Sequence, residues 1–487
     1  MRLVGALLGA SLLASAGFAQ EPRPQAAAIP SATDAPIAPV ARQRSIGLPS
    51  GRLDYRAGWF ETVLKDAKGN PQATISATSY VRTGMGDPAQ RPVLVLFNGG
   101  PGASSSPLHF SAFGPRRLES KTVLVDNPAT LLDAADLLFI DPVGTGFSRP
   151  LKDGGGDPYW SVQGDADAAL TLIRAWLKAN GRDASPLFVA GESYGGYRLG
   201  TMARAMQDLN VAGLVLISPA LDFGTPADQV AIDSLPTMAV AAWYHKARQD
   251  GRTADQVWEA ARRFAQSDYA VALQQGSTLA PAERARVAAQ IAELTGMSPQ
   301  MVEQANLRID SQRFLETLLP GNVVGRLDTR VFAPKPAQPL NANRPAAAND
   351  PALGLGKTNV ILSVPARDYL RGEVGVPTTR DYYSLTLDVN FRWNWARPNP
   401  RPGESWSVAG NLASLMHAKP KLRMLVLGGY YDLAVPLLET RYALTHSDVP
   451  LDRTTIIAMP AGHSVFEGDG NLAQASKLMH DFLLDRR

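Results

Sequence analysis

The chain has no cysteine among its 487 residues. That excludes disulfides, thiolate metal sites and a cysteine nucleophile. A chain without disulfides must hold itself together through its core, and hydrophobic residues at 45% are enough to build a large one. Charge of either sign is also scarce. Lys and Arg number 48 against 45 Asp and Glu, for a net charge of +3. There is no basic run and no aromatic-basic stripe, so no nucleic-acid or acidic partner is expected. There is no His-Glu-x-x-His pattern and no cluster of His and carboxylate ligands, so neither a metal nor another cofactor is expected. After the N-terminal segment no apolar run is long enough to span a membrane. No internal repeat is visible.

What is present begins with an address. Arg2 supplies a positive end, residues 3–16 are mostly apolar or small, and Gly17 and Ala19 fit a small-x-small cleavage site. Residues 1–19 are therefore expected to be a signal peptide, with a mature chain starting near Gln20. Export without disulfides suits a bacterial periplasmic or secreted protein. Residues 20–50 are rich in Ala, Pro and Gln without a period, and are expected to form a flexible leader.

From Trp59 to Val81 two β-rich runs flank Lys68-Gly69-Asn70-Pro71, the pattern of a hairpin. Short apolar runs follow at 93–97, 137–140, 187–190 and 214–217. Between them, Ala169, Leu172, Ile173, Trp176 and Leu177 recur at helical spacing, and residues 199–209 read as another helix. This alternation predicts a mainly parallel sheet flanked by helices. From about residue 223 to 417 the composition turns Ala-, Arg- and Gln-rich with a helical period. Strand-like runs resume at 422–427 and 454–458, and a helix closes the chain. The expected organisation is a core at 51–222, a large, mostly helical cap at 223–417, and the rest of the core at 418–487.

The chemistry concentrates at Gly191-Glu192-Ser193-Tyr194-Gly195-Gly196, a G-x-S-x-G pattern directly after a strand-like run. A strand, a tight turn and a helix around such a serine form the nucleophile elbow of an α/β-hydrolase. A serine hydroxyl needs a base to take its proton and a carboxylate to orient that base. In this fold the order along the chain is Ser, acid, His, each after a strand. Asp432 follows the run at 422–427, and His463 follows the run at 454–458. His109, His245 and His417 precede Asp432 and break the order. His446 lies between the two strands, and His480 sits on a helical stretch. Ser193, Asp432 and His463 are thus the expected catalytic residues. The run at 93–97 ends in Asn98-Gly99-Gly100-Pro101-Gly102. Its N–H groups and the one after the nucleophile point to Gly100 and Tyr194 as donors to a developing oxyanion.

Five blocks together resemble the serine carboxypeptidases. They are residues 98–105, with their Asn-Gly-Gly-Pro-Gly start; 138–148, with Asp141-Pro142 and Gly144-Thr145-Gly146-Phe147-Ser148; Gly191 to Gly196; Asp432 to Pro436; and Ala461-Gly462-His463. The resemblance implies that Asn98, Gly99 and Glu192 bind the terminal carboxylate of a peptide. It also implies that Gly100 and Tyr194 form the oxyanion hole. The chain departs from the pattern at Ala103, where the motif has cysteine, at Leu96, where tryptophan is usual, and at Gly428-Gly429-Tyr430-Tyr431 before the acid. The Tyr430-Tyr431-Asp432 variant and the long helical insertion look like a bacterial branch of the family.

The expected activity is removal of C-terminal residues from peptides with a free C-terminus, through an acyl-enzyme. An esterase or acyltransferase on the same scaffold is the alternative, because the same acyl-enzyme can form from an ester. A peptide-binding protein without catalysis is a third reading. Trp393-Asn394-Trp395 and Trp243-Tyr244-His245 are read as an aromatic subsite or as packing at a junction. Arg326, Asp328 and Arg330 are read as an ion network or as substrate contacts. The oligomeric state is not legible.

Overall fold

In the computed structural model, the apolar runs become strands buried on both faces. The structure describes residues 29–486 apart from 33, 50, 85, 121, 247–250, 339–348, 357 and 397–404. The sheet strands are β1 (Val40–Leu48), β2 (Gly51–Lys65), β3 (Pro71–Arg82), β4 (Val93–Phe97) and β5 (Asp136–Asp141). They continue with β6 (Leu187–Glu192), β7 (Val211–Ile217), β8 (Arg423–Gly429) and β9 (Thr454–Met459). Their spatial order is β1-β2-β3-β5-β4-β6-β7-β8-β9. From β5 to β9 every neighbouring pair is parallel. β1, β2 and β3 join the β5 edge as antiparallel strands.

The period of two in β4 explains how such a sheet is covered. Val93, Val95 and Phe97 enter one hydrophobic cluster and Leu94 and Leu96 the other, so both faces are dry. Helices α1 (Val162–Ala179) and α2 (Tyr194–Met202) pack into the first cluster. The closing helix α6 (Asp469–Leu483) packs into the second. Ser161 caps α1 by accepting from Gly164 N.

The hairpin expected around Lys68 is present. Asp66 accepts from Lys68 N and Asn70 N, and Gly69 turns the chain at φ +84°.

The insertion differs from its expected outline. Helices α3 (Ala227–Lys246), α4 (Ala254–Phe264) and α5 (Pro281–Thr295) build a cluster of their own. That helical part ends at Thr317. The following chain returns to the hydrolase body. Ala366, Tyr369, Leu370, Val374, Val376 and Tyr382 lie in the same cluster as Ile46, Leu53 and Tyr55 of the sheet edge. Val408, Ala409 and Leu412 lie with α1 and α2. Residues 223–417 are therefore not one helical cap. Their Ala-rich first part is helical, and their Pro- and Gly-containing second part is woven into the core.

The leader boundary also moves. Residues 40–48 form β1, paired to β2 along its whole length. Ahead of it, Ile29 is buried in the core, and Asp34 pairs with Arg380 at 2.7 Å. The described part of 20–50 is thus docked, because it supplies an edge strand and a partner for a buried arginine. The expected signal peptide at 1–19 lies outside the described residues.

Candidate active site

The elbow forms where β6 meets α2. Ser193 sits between them with φ +60° and ψ −129°, a conformation side-chain-bearing residues rarely adopt. It is held there by backbone bonds from Ser193 N to Ile217 O (2.9 Å) and from Ala220 N to Ser193 O (3.0 Å). The turn lifts its hydroxyl into a cleft of about 540 Å³. Asn98, Gly99, Gly100, Glu192, Tyr194 and His463 line the same cleft.

Asp432, fully buried, stands behind His463. Its Oδ2 lies 2.7 Å from His463 Nδ1, and its Oδ1 accepts from Ala434 N (2.8 Å) and Val435 N (3.0 Å). Nδ1 is therefore the protonated ring nitrogen, which leaves Nε2 as the acceptor. Burial works against a charged His463 ring. The charge and hydrogen bond of Asp432, and then the charge of Glu192, outweigh it and raise the imidazole above its ordinary range.

The Gly99 loop lies directly against the start of α2. A β-carbon at Gly99 would collide with Tyr194 N. Only glycine lets the two backbones meet there. Tyr194 is the first residue of α2, so its N–H has no acceptor within the helix. Gly100, at φ +101°, turns the loop beside it. Gly100 and Tyr194 line the cleft together with Ser193.

Glu192 is buried beside these groups. Asn98 Nδ2 donates to its Oε2, and Ser464 Oγ donates to its Oε1 at 3.1 Å. Asn98 Oδ1 accepts from Leu108 N, which fixes the amide so that its NH2 faces the carboxyl. Burial pushes the Glu192 carboxyl up to about 7, against the opposing pull of His463, Ser464 and Asn98. A group of this kind can donate a proton in acid and accept one near neutrality.

Several positioning groups had no clear signal in the sequence. Arg198 is buried, donates from Nε to Asp165 Oδ2 (2.6 Å) and from an Nη to Asn98 O (2.6 Å), and so pins the Asn98 loop from behind. Arg198 and Asp165 are 33 residues apart in the sequence with no motif joining them. Ser464 could have been found as the neighbour of His463. Leu327 O accepts from His463 N at 2.7 Å, and Arg326 O accepts from Leu433 N at 3.0 Å. One bend, Arg326-Leu327, thereby braces both the Asp432 and the His463 loops.

The open readings separate. Trp393 and Trp395 pack edge-on against Tyr194, and Trp395 packs against Phe223, which lines the cleft. Tyr244 packs on Tyr431, and His245 Nε2 bonds Thr329 O. These residues are junction packing and do not line the cleft. Asp328 and Arg330 form an ion pair at 2.6 Å, while Arg326 lines the cleft. Among the described residues there is no group of three or more potential metal ligands, and no helix is long and apolar enough to cross a membrane.

Sheet order, elbow and the loops carrying Asp432 and His463 define an α/β-hydrolase fold. Comparison with known proteins agrees. Residues 80–266 match the family model for serine carboxypeptidases. The chain is 36% identical over 126 residues to pheromone-processing carboxypeptidase KEX1 of Podospora anserina, covering 26% of this chain and 21% of that protein. It is 32% identical over 146 residues to serine carboxypeptidase-like 36 of Arabidopsis thaliana, covering 27% and 29%. The matched segments thus span less than a third of either relative. The crystal structure of a prohormone-processing carboxypeptidase, KEX1(delta)p from Saccharomyces cerevisiae, superposes with a TM-score of 0.55 at 15% identity. That superposition covers 88% of this chain and 91% of the other.

Proposed function

We propose that this chain is a serine-type carboxypeptidase. Ser193 Oγ attacks the carbonyl of the last peptide bond, and His463 Nε2 takes its proton. Asp432 holds the ring and stabilises its charged form. The Gly100 and Tyr194 N–H groups receive the oxyanion. His463 then gives its proton to the leaving amine, and water resolves the acyl-enzyme. Asn98, the Gly99 N–H and Glu192 receive the terminal carboxylate.

The observation that carries this reading is the buried carboxyl of Glu192 beside His463, with donors from Asn98 and Ser464. A hydrolase indifferent to charge has no use for a second acid there. Glu192 and His463 are close enough to titrate together. A single proton on the pair can sit on either group. A bound substrate carboxylate favours the proton on Glu192, because two bare carboxylates repel. That placement also leaves His463 neutral and ready to act as base. Substrate recognition and base activation are then one proton position.

The test compares one peptide with a free or an amidated C-terminus, otherwise identical. The free peptide is expected to lose its terminal residue at low pH and the amide to react far more slowly. Equal rates would remove this reading and favour an esterase-like enzyme.

Export with cleavage after Ala19 is part of the proposal, supported by the composition of residues 1–19. A bacterial periplasmic or secreted setting is supported by the absence of cysteine and by the Tyr430-Tyr431-Asp432 variant. The domain reading becomes a hydrolase core interrupted by a helical insertion at 227–317.

A further inference from the structure

Besides Tyr194, three side chains that titrate or carry charge line the cleft among the described residues: Glu192, His463 and Arg326. The first two have roles above. Arg326 does not. Its Nε is buried and has no hydrogen-bond partner. Among the described residues no carboxylate lies within ion-pair distance of it.

The contrast with its neighbour is informative. Arg330 uses Nε and one Nη on Asp328 and the other Nη on Pro460 O. Arg326 has an acid nearby in Asp350, but that carboxylate is already occupied. Asp350 Oδ2 accepts from Arg326 N and Leu327 N, and Oδ1 accepts from Ala352 N. These bonds fix the backbone of Arg326, and Arg326 O holds Leu433 N beside the acid loop. The backbone of Arg326 is thereby fixed, while its buried Nε has no partner among the described residues.

A buried guanidinium N–H without an acceptor is costly. An arginine fork matches a carboxylate in two parallel hydrogen bonds. The cleft around it offers Leu353, Ile361, Leu385, Leu387 and Phe391 as apolar wall. Such a space suits a short aliphatic stem that ends in an anion.

We propose that Arg326 is a specificity-determining residue that receives a side-chain carboxylate next to the scissile bond, so that the enzyme favours substrates with a Glu-like residue there. This rests on the carboxypeptidase reading, with the terminal carboxylate held separately at Asn98 and Glu192.

The experiment measures kcat/KM for N-terminally blocked peptides bearing Glu or Gln at the terminal or the penultimate position, each with a free or an amidated C-terminus, and for the same set with an ester at the scissile bond. The wild type is expected to prefer Glu over Gln at one of the two positions by about ten- to hundredfold, the range of a charge-assisted hydrogen bond. In Arg326→Gln that ratio is expected to fall near one, and in Arg326→Lys to an intermediate value. Thermal melts report folding, and Arg326→Lys carries the test should Arg326→Gln not fold. A Glu-to-Gln ratio near one in the wild type overturns the proposal. So does a loss of discrimination between free and amidated C-termini in Arg326→Gln, which assigns the arginine to the terminal carboxylate. Cleavage of the esters alone, still with a Glu preference, removes the peptidase reading and leaves the arginine proposal standing. Turnover of neither series overturns both.

Discussion

His463 Nδ1 and Asp432 Oδ2 lie 2.7 Å apart, and the other oxygen of Asp432 is fixed by two backbone N–H groups. The carboxylate therefore cannot turn away from the ring without giving up both backbone bonds. In Asp432→Asn the amide oxygen keeps the Ala434 and Val435 donors, and the NH2 faces Nδ1. His463 must then carry its proton on Nε2, where it cannot accept from Ser193. The expected outcome is a folded protein with kcat lower by about 10⁴-fold. Steady-state kinetics on a good substrate checks it.

Ser193→Ala removes the proposed nucleophile and keeps the elbow's backbone bonds. Its melting temperature should stay near that of the wild type, while activity falls by several orders of magnitude. A fluorophosphonate should label the wild type at Ser193 alone, read by peptide mass. Labelling at another serine, or turnover close to normal in the variant, contradicts the assignment.

The elbow was legible because its signal is local. Glycines, an apolar strand and a helix all sit within fifteen residues of Ser193. Asp432 and His463 were legible from chain order, since each follows a strand that reads as buried. What escaped notice depends on distant partners. Arg198 meets Asp165 and Asn98 across turns of chain that carry no shared pattern. Residues 20–50 read as a flexible leader by composition, yet Ile29 is buried and Asp34 meets Arg380, 346 residues away. The insertion was misjudged in its second half for a similar reason. Ala366, Tyr369, Leu370 and Val374 recur at helical spacing, but that spacing does not say which surface they cover, and they cover the sheet edge.

Arg380 tests that docking. Its side chain is buried, pairs with Asp34, and donates to the fully buried Glu61 at 2.6 Å. Arg380→Met keeps the volume and leaves Glu61 buried without its cation. Loss of one member of such a pair costs about 3–5 kcal/mol. Chemical denaturation should show this as a lower midpoint with an unchanged slope. Asp34→Asn removes only the outer, partly exposed partner and should cost much less.

Several buried acids bear on the pH dependence of stability, and burial pushes one of them, Asp141, to about 6. Burial pushes Glu192 to about 7 and Asp233 to about 7. Burial, and then the charges of Asp233, Asp432 and Asp222, push Glu439 to about 8. In the unfolded chain such groups titrate at about 4. Each is protonated in the folded state over a range where the unfolded state has lost the proton. Their contribution is complete below about pH 4 and is lost as pH rises towards 8. Urea midpoints should therefore decline across that window. Glu439→Gln should make the decline shallower, and a midpoint that rises from pH 4 to 8 would contradict the sign.

Glu192→Gln separates recognition from catalysis. Glutamine keeps a donor towards a substrate carboxylate but cannot ionise. In the wild type, peptide turnover should fall as the proton shared by Glu192 and His463 leaves, near and above pH 7. The variant should lose that fall, because its donor persists. The acid side should move as well. Glu192 is one of the charges that raise His463, so its removal lowers the pH at which the imidazole becomes neutral. For an ester with no free carboxylate, the acid limb of kcat/KM should therefore shift to lower pH in the variant. Its plateau should stay close to the wild-type value, since the Asp432–His463 pair is untouched. The measurement is kcat/KM against pH for a peptide and a C-terminally blocked ester in both proteins. If the peptide profile keeps its fall near pH 7 in Glu192→Gln, the titrating group lies elsewhere. If in addition the ester's acid limb does not move, Glu192 is neither a carboxylate receptor nor an electrostatic partner of His463.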